Sequence, residues 1–240
     1  MRLALILSLL LMTACSSEEP PSPPPQIAVA APAAPPVAEA DLYTLAVGGN
    51  GFRADMDLAA LRHRYGNDGV ALQEVPLGEG QSEPGAVIHP QDPSRRAYVY
   101  FVDGKPDGTI SAIYVRDLQS RWEGPVGLKL GMNSVDLERL NGKPFRFLGF
   151  EWDYGGYVSN WTEGTLAKAF LAPGQLALRL APPELAPGAQ RADGYPMGES
   201  EFASDIPPVR EQPPVVIEMG LGFVPASTDG AAAAPVSPEG

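Results

Sequence analysis

The sequence predicts an α+β fold: two helix-plus-antiparallel-meander repeats that follow a disordered, proline-rich tether. The segments 51–66 and 127–142 share a spacing of glycine, methionine, leucine and glycine. Each is followed by runs in which apolar residues alternate with others between Gly, Pro and Asp, a pattern typical of antiparallel strands joined by short turns. We therefore divide the chain into a signal peptide at 1–14, a tether at 15–40, repeats at 41–120 and 121–225, and a disordered tail at 226–240.

The chain begins with a short apolar leader. Residues 3–12 are all apolar except Ser8, and they follow Arg2. A membrane-spanning helix needs about 20 apolar residues, so this run has the length of a signal peptide and is too short to span a bilayer. It ends just before Cys15, the only cysteine in the chain, which excludes an intramolecular disulfide and cysteine-rich metal sites.

The sequence around Cys15 resembles a bacterial lipobox, in which a small residue precedes a cysteine that is acylated and becomes the mature N-terminus. Met12 stands where leucine is usual. The resemblance implies that acyl chains such as palmitate on Cys15 anchor the protein in the lipid bilayer, and two or more chains make a stable anchor. Ser16, rather than aspartate, follows the cysteine, which in Gram-negative bacteria implies the outer membrane, with the protein facing the periplasm. The alternative is an ordinary free thiol near a cleavage site.

A proline-rich tether follows the anchor. Residues 16–40 contain eight prolines and no aromatic residue. Such a segment cannot bury enough apolar surface to fold, and it favours an extended polyproline-II conformation. The formal net charge of the chain is −12 at pH 7. Because a chain this acidic binds nucleic acid poorly, we expect no nucleic-acid partner.

Each repeat is predicted to contain one short helix, over residues 58–65 and 134–141. Asp57 and Asn133 precede these segments, and both are strong N-cap residues because their side chains accept hydrogen bonds from the free N–H groups of a helix start. Gly66 and Gly142 follow, and glycine readily adopts the left-handed conformation of a helix C-terminus. Helices of two turns are marginal alone, so both must pack on the sheet.

Strands are expected after each helix. The first repeat supplies VALQEV, AVIH, AYVYFVD and TISAIYV, and the second supplies PFRFLGFEWDY, GYVSNW and LALRLA. Residues 215–223 are predicted to form a last strand, and the segment 181–212 receives no predicted element.

The second repeat resembles a family of uncharacterised bacterial lipoproteins through its core LNGKPF…GF.WDYGG, within residues 124–161. More distantly, both repeats are similar to the helix-then-antiparallel-sheet repeat of β-lactamase inhibitory protein. They are also similar to the small lipoprotein of the outer-membrane β-barrel assembly machinery. Those relatives bind proteins and catalyse nothing, and the resemblance implies their fold for this chain.

Catalytic motifs are missing from the sequence. It contains no GxSxG, GxGxxG or P-loop pattern, and its only histidines are His63 and His89, which are predicted to lie on a solvated helix face and at a strand end. A zinc site of the usual kind needs more ligands than these. A Ser–His–Asp arrangement stays open, because its members need not be adjacent in sequence. We predict no enzyme activity, no cofactor, no metal and no catalytic residue.

The stretch 144–154 is predicted to be one strand with two different faces. Glu151 and Asp153 share a face, and paired carboxylates can divide acid and base roles or hold a hard cation. The other face carries an apolar ridge, which we expect to pack against the second helix: Leu148, Phe150, Trp152 and Tyr154. We predict that both carboxylates are solvated, and that a candidate binding surface comprises Glu151, Asp153, Tyr154, Tyr157 and Trp161.

Two functional hypotheses remain. The first is a membrane-anchored lipoprotein that binds an envelope protein or another ligand through aromatic residues on a sheet face. The alternative is an envelope hydrolase that uses carboxylates. Carboxylates clustered in a deep cleft, with a raised pKa, would favour the hydrolase. A shallow sheet face lined by aromatic residues would favour the binding protein.

Overall fold

The computed structural model describes residues 42–49, 51–78, 80–169 and 174–223, and all of them belong to one compact unit of the chain. Cys15, the predicted leader, the tether and the tail lie outside the described residues. None of the described helices is long and apolar enough to cross a membrane.

Four α-helices and nine β-strands make up the described part of the chain. The helices are α1 (Leu58–Tyr65), α2 (Ser134–Asn141), α3 (Thr165–Ala169) and α4 (Pro207–Glu211). The strands are β1 (Val70–Gly78), β2 (Gln81–Ile88), β3 (Ala97–Phe101), β4 (Ile110–Val115), β5 (Arg146–Leu148), β6 (Val158–Asn160), β7 (Gly174–Ala181), β8 (Glu201–Ala203) and β9 (Val215–Phe223).

The strands pair into two antiparallel sheets. The larger sheet has the order β1-β2-β3-β4-β9-β7, and the smaller has the order β6-β5-β8. The strands β1 to β4 follow α1 as a meander, and β9 inserts between β4 and β7, so both halves of the chain contribute to one sheet. Helices and antiparallel sheets together confirm the α+β class. That the two halves are repeats stays a prediction.

The two predicted N-caps are confirmed. The Asp57 carboxylate accepts a hydrogen bond from the N–H of Ala60 at 2.8 Å. The Asn133 side-chain oxygen accepts from the N–H groups of Val135 and Asp136 at 3.0 and 2.9 Å. Each accepted bond satisfies an N–H that the first helical turn cannot pair internally. The helices α1 and α2 therefore begin where the sequence predicts.

The core lies on one side of the six-stranded sheet. The largest fully buried side chains are aromatic, and they include Trp122, Phe52, Phe145 and Phe147. They form one apolar cluster with residues of the helices, such as Leu61 and Leu137. A separate small cluster of Val75, Val87 and Tyr100 lies on the sheet's other side. The two helices thus cover only one face of the large sheet.

The predicted strand over 144–154 is wrong beyond Leu148. The strand β5 stops at Gly149, where an added Cβ would lie 2.4 Å from the carbonyl oxygen of Gly198. The N–H of Phe150 instead donates to the carbonyl of Pro196 at 3.0 Å, and Glu151 takes a left-handed φ of 66°. The alternation of side chains between the two faces of the strand therefore ends where the backbones of Gly149 and Gly198 meet.

The expected apolar ridge is wrong for the same reason. Phe147 is fully buried on β5, whereas its neighbour Leu148 is only half-buried. Phe150 is buried and stacks on Tyr195, with ring centroids 5.7 Å apart. Trp152 is half-buried and packs edge-on against Tyr154 at 5.2 Å. Only Phe150 of the predicted ridge belongs to the buried core.

The segment 181–212, for which no element is predicted, completes this region. Its strand β8 pairs with β5, with Phe202 opposite Phe147. The hydroxyl of Ser204 donates to Glu138 of α2 at 2.5 Å and accepts from the N–H of Phe145 at 3.0 Å. These hydrogen bonds are buried or partly buried, so they tie β8, β5 and α2 together.

Candidate binding face

The sheet face opposite the helices carries a cluster of tyrosines. In the register of the sheet, Tyr98 on β3 lies opposite Tyr114 on β4, and Tyr100 lies opposite Ala112. Their neighbours Val99 and Ile113 point into the core. We call this surface the tyrosine face and define it as Tyr98, Tyr100, Ala112, Tyr114, Arg116, Tyr157, Ala177, Arg179, Glu218, Gly220 and Gly222.

Arg116 occupies the centre of the tyrosine face. Its guanidinium carbon lies 5.1 Å from the ring centroid of Tyr114, 5.3 Å from that of Tyr98 and 5.9 Å from that of Tyr100. A cation over aromatic rings is attracted by their negative faces, more strongly where water is excluded. The tyrosine rings and the guanidinium therefore hold one another in place.

Glu218 on β9 neutralises this cation. Its side chain is only 9% exposed and pairs with Arg116. Its second oxygen accepts a hydrogen bond from the hydroxyl of Tyr157 at 2.8 Å. Burial tends to lower the pKa of Arg116, but Glu218 and Tyr100 together outweigh it and the pKa is raised. Burial, then Glu218, raises the pKa of Tyr157. Each oxygen of Glu218 is therefore engaged by a neighbouring side chain.

Glycine and alanine form the floor of the face. The ring of Tyr114 lies so close to Gly220 that an added Cβ would be 2.2 Å from a ring carbon. Burial raises the pKa of Tyr114 to about 12. Beside this ring, Ala112, Ala177 and Gly222 are half-exposed. Because these residues have one methyl group or none, the floor is smooth and reachable from solvent.

Three polar side chains of the tyrosine face are half-buried and keep unused hydrogen-bonding capacity: Tyr98, Tyr114 and Arg179. Within residues 42–49, 51–78, 80–169 and 174–223, the hydroxyls of Tyr98 and Tyr114 make no hydrogen bond. Arg179 stacks on Tyr157 at 5.1 Å and donates to the backbone carbonyls of Gly155 and Asp153 at 2.9 and 3.1 Å. In the described part of the chain it has no carboxylate partner. The two hydroxyls and the remaining N–H groups of Arg179 can therefore still bond to a ligand.

The residues of the predicted binding surface do not lie together. Glu151 and Asp153 are exposed, as predicted, on the turn after β5. Tyr154 packs on Trp152, and Trp161 packs on Phe145 with ring centroids 5.6 Å apart. Of the five, only Tyr157 belongs to the tyrosine face.

Sequence reasoning missed the other aromatic and charged members of the face: Tyr98, Tyr100, Tyr114, Arg116, Arg179 and Glu218. The alternation of Tyr98 and Tyr100 signals that their strand has a polar aromatic side. No local pattern signals Glu218, which meets Arg116 from 102 positions away.

The two histidines lie in different surroundings. His63 is exposed on α1, as predicted. His89 is half-buried, with ring centroids 6.2 Å from Tyr43 and 6.0 Å from Tyr65. Burial, with Arg95 close by, lowers the pKa of His89. Within the described ranges, no group of three or more His, Cys, Asp or Glu side chains could hold a metal ion.

An open hollow of about 360 Å³ lies beside the first turn of α1. Its walls include Asp57, which caps the helix, together with Arg62 and Asp107.

Comparison of the chain with protein-family models, with curated proteins and with solved structures finds no match.

Proposed function

We propose that this protein is an outer-membrane lipoprotein, anchored by acylated Cys15 and facing the periplasm. In this proposal the folded domain binds another envelope component through the tyrosine face and catalyses no reaction. The lipobox-like sequence at Cys15 and the proline-rich tether support the anchor. The support for binding comes from the folded domain.

The observation that carries the proposal is the preorganised tyrosine face. Arg116, Glu218 and Tyr157 hold one another through hydrogen bonds and ring contacts. A partner therefore meets side chains that are already ordered, and the entropy lost on binding is small. Tyrosine and arginine are also the side chains that contribute most to many binding surfaces.

The placement of the carboxylates supports binding over hydrolysis. Glu151 and Asp153 are exposed on a turn, and Glu218 is engaged by Arg116 and Tyr157. Burial and the neighbouring Glu74 raise the pKa of Glu83, but Glu83 stands on the open hairpin of β1 and β2. A carboxylate-based hydrolase needs an acid and a base facing one substrate.

The test is site-specific photo-crosslinking in living cells. A photoreactive phenylalanine at Gln73 stands at the rim of the tyrosine face, because Gln73 is exposed and shares that face through its register with β2. The matched control carries the same group at the exposed His63 on α1. We expect a covalent adduct from position 73 that is lost when Gly222→Leu fills the floor. Equal adducts from both positions, or none from position 73, would refute the proposal.

A further inference from the structure

The tyrosine face has the shape and chemistry of a carbohydrate-binding surface. We infer that its ligand is a β-linked oligosaccharide, laid flat across the strands β3, β4, β9 and β7. This inference rests on the proposed function, since it names the class of ligand for the same face.

The first argument is the shape of the floor. Across the four strands, one row of the sheet runs Tyr98, Tyr114, Gly220 and Ala177, and the next runs Tyr100, Ala112, Gly222 and Gln175. Tyrosine rings stand at one end and small residues lie at the other. Neighbouring strands are about 4.8 Å apart, so the rows extend for about 14 Å. This is room for a flat oligosaccharide.

The second argument is stacking. The hydrogens on the ring carbons of a β-linked pyranose point to its two flat sides and carry partial positive charge. They are attracted to the negative face of an aromatic ring. The Tyr114 ring is held beside the floor by Gly220, and the side chain is half-buried. A sugar ring on the floor of Ala112 and Gly222 lies against this tyrosine.

The third argument is hydrogen bonding. The unpartnered hydroxyls of Tyr98 and Tyr114 can both donate and accept, whereas the Arg179 guanidinium only donates. Sugar hydroxyls also donate and accept, so they match both kinds of group. Because no free carboxylate stands among these groups, the face suits a ligand that is rich in acceptors.

A protein partner fits the face less well. Five large apolar side chains are exposed in the described part of the chain, and none belongs to the tyrosine face: Leu72, Leu77, Leu118, Val126 and Met197. The centre of a protein interface is usually apolar and fully desolvated. A nucleic acid is disfavoured by the net charge of −12.

The experiment titrates the detergent-solubilised full chain with three tetrasaccharides by calorimetry. Cellotetraose and chitotetraose are flat and β-linked. Maltotetraose is the α-linked control, because its curved chain cannot lie along a flat floor. Binding to an open face is weak, so the titration runs to about 10 mM sugar. We expect saturable binding of at least one β-linked sugar, and binding of maltotetraose that is at least about fivefold weaker.

Two variants locate the site. Gly222→Leu fills the floor, yet its Cβ meets no atom closer than 3.9 Å, so the fold should tolerate it. We expect it to abolish sugar binding. The double change Tyr98→Phe with Tyr114→Phe keeps both rings and should weaken binding about tenfold, because two hydrogen bonds are lost. Leu72→Ala, on an exposed side chain outside the face, should leave the affinity unchanged.

The inference fails if neither β-linked sugar binds, or if Gly222→Leu leaves the affinity unchanged. The crosslinking experiment then separates two kinds of failure. A protein adduct at position 73 that Gly222→Leu removes would overturn the carbohydrate ligand and keep the proposed function. If neither sugar binding nor the adduct is observed, both the carbohydrate ligand and the proposed function are overturned.

Discussion

The aromatic ring of Tyr114 on β4 lies directly against Gly220 on β9, and a Cβ at position 220 would be 2.2 Å from a ring carbon. The two residues are paired in the sheet register. The bare backbone of Gly220 thus receives the ring, and it sets the position of Tyr114 in the tyrosine face.

Gly220→Ala should therefore destabilise the protein by about 1 to 3 kcal/mol, the usual cost of overpacking. Gly222→Ala is the matched control, because its Cβ would meet nothing closer than 3.9 Å on the same strand. The control should change the free energy of unfolding by under about 0.5 kcal/mol. Urea titrations measure both values, and equal effects would show that the Tyr114 ring can move aside.

Glu218→Gln should destabilise the protein by about 2 to 3 kcal/mol, because the partly buried Arg116 cation loses its countercharge. The Arg116 side chain is 29% exposed, so solvent recovers part of the loss. Glu123→Gln is the control, since Glu123 and Lys129 form a pair that is about half-exposed on both sides. That change should cost under about 1 kcal/mol. A smaller effect at 218 than at 123 would contradict the central role of Glu218.

The stability of the protein should fall as the pH drops below about 6.5, the ordinary pKa of histidine. Burial and the cations Arg95 and Arg121 lower the pKa of His89 in the folded protein, although Asp92 opposes them. The unfolded chain therefore takes up this proton first on acidification, and unfolding is favoured.

His89→Asn should flatten this dependence when the free energy of unfolding is measured between about pH 5 and 7.5. Asparagine tolerates the left-handed φ of 44° at this position. His63→Asn, at an exposed helical site, should keep the wild-type slope. Unchanged slopes in both variants would assign the dependence to other groups.

Asp57→Ala and Asn133→Ala should each lower stability by about 0.5 to 2 kcal/mol, the usual loss of an N-cap. Asn133→Ala should lower stability more than Asp57→Ala, because Asn133 accepts from two backbone N–H groups and Asp57 accepts from one. Serine at either position restores an acceptor, so Asp57→Ser and Asn133→Ser should recover most of the loss. Thermal unfolding of all four variants checks this order.

Cys15→Ser should leave the precursor unprocessed by lipoprotein signal peptidase and without lipid. The reason is chemical, because a serine hydroxyl cannot replace the thiol that receives the lipid. Labelling of cells with radioactive palmitate measures the result. Label on the serine variant equal to that on the wild type would remove the anchor from the proposal.

Much of the local structure could be predicted from the sequence. The helices at 58–65 and 134–141 and the strand at 215–223 have the predicted bounds. Their signals are short-range: a capping side chain within three residues of its donor, a glycine at a helix end, and alternation within one strand. Such signals need no distant partner, so a local pattern suffices.

The prediction failed where a distant backbone decided the path. Gly149 approaches Gly198 from 49 positions away, and this contact ends β5 and turns Trp152 away from the second helix. The alternation in the sequence continues smoothly through this point. A local pattern cannot show that a strand must stop for a neighbour that arrives later in the chain.

The sequence by itself determined the two capped helices and the last strand, because each depends on residues that are close together along the chain. The anchor at Cys15 stays a prediction. Only the tertiary structure decided which side chains form the tyrosine face. Tyr98, Arg116, Tyr157 and Glu218 come from four separate segments, and they meet because β9 pairs between β4 and β7. The physical reason is that sheet register and burial depend on strands that are far apart in sequence. Pairing of these strands satisfies backbone hydrogen bonds that no single segment can satisfy alone.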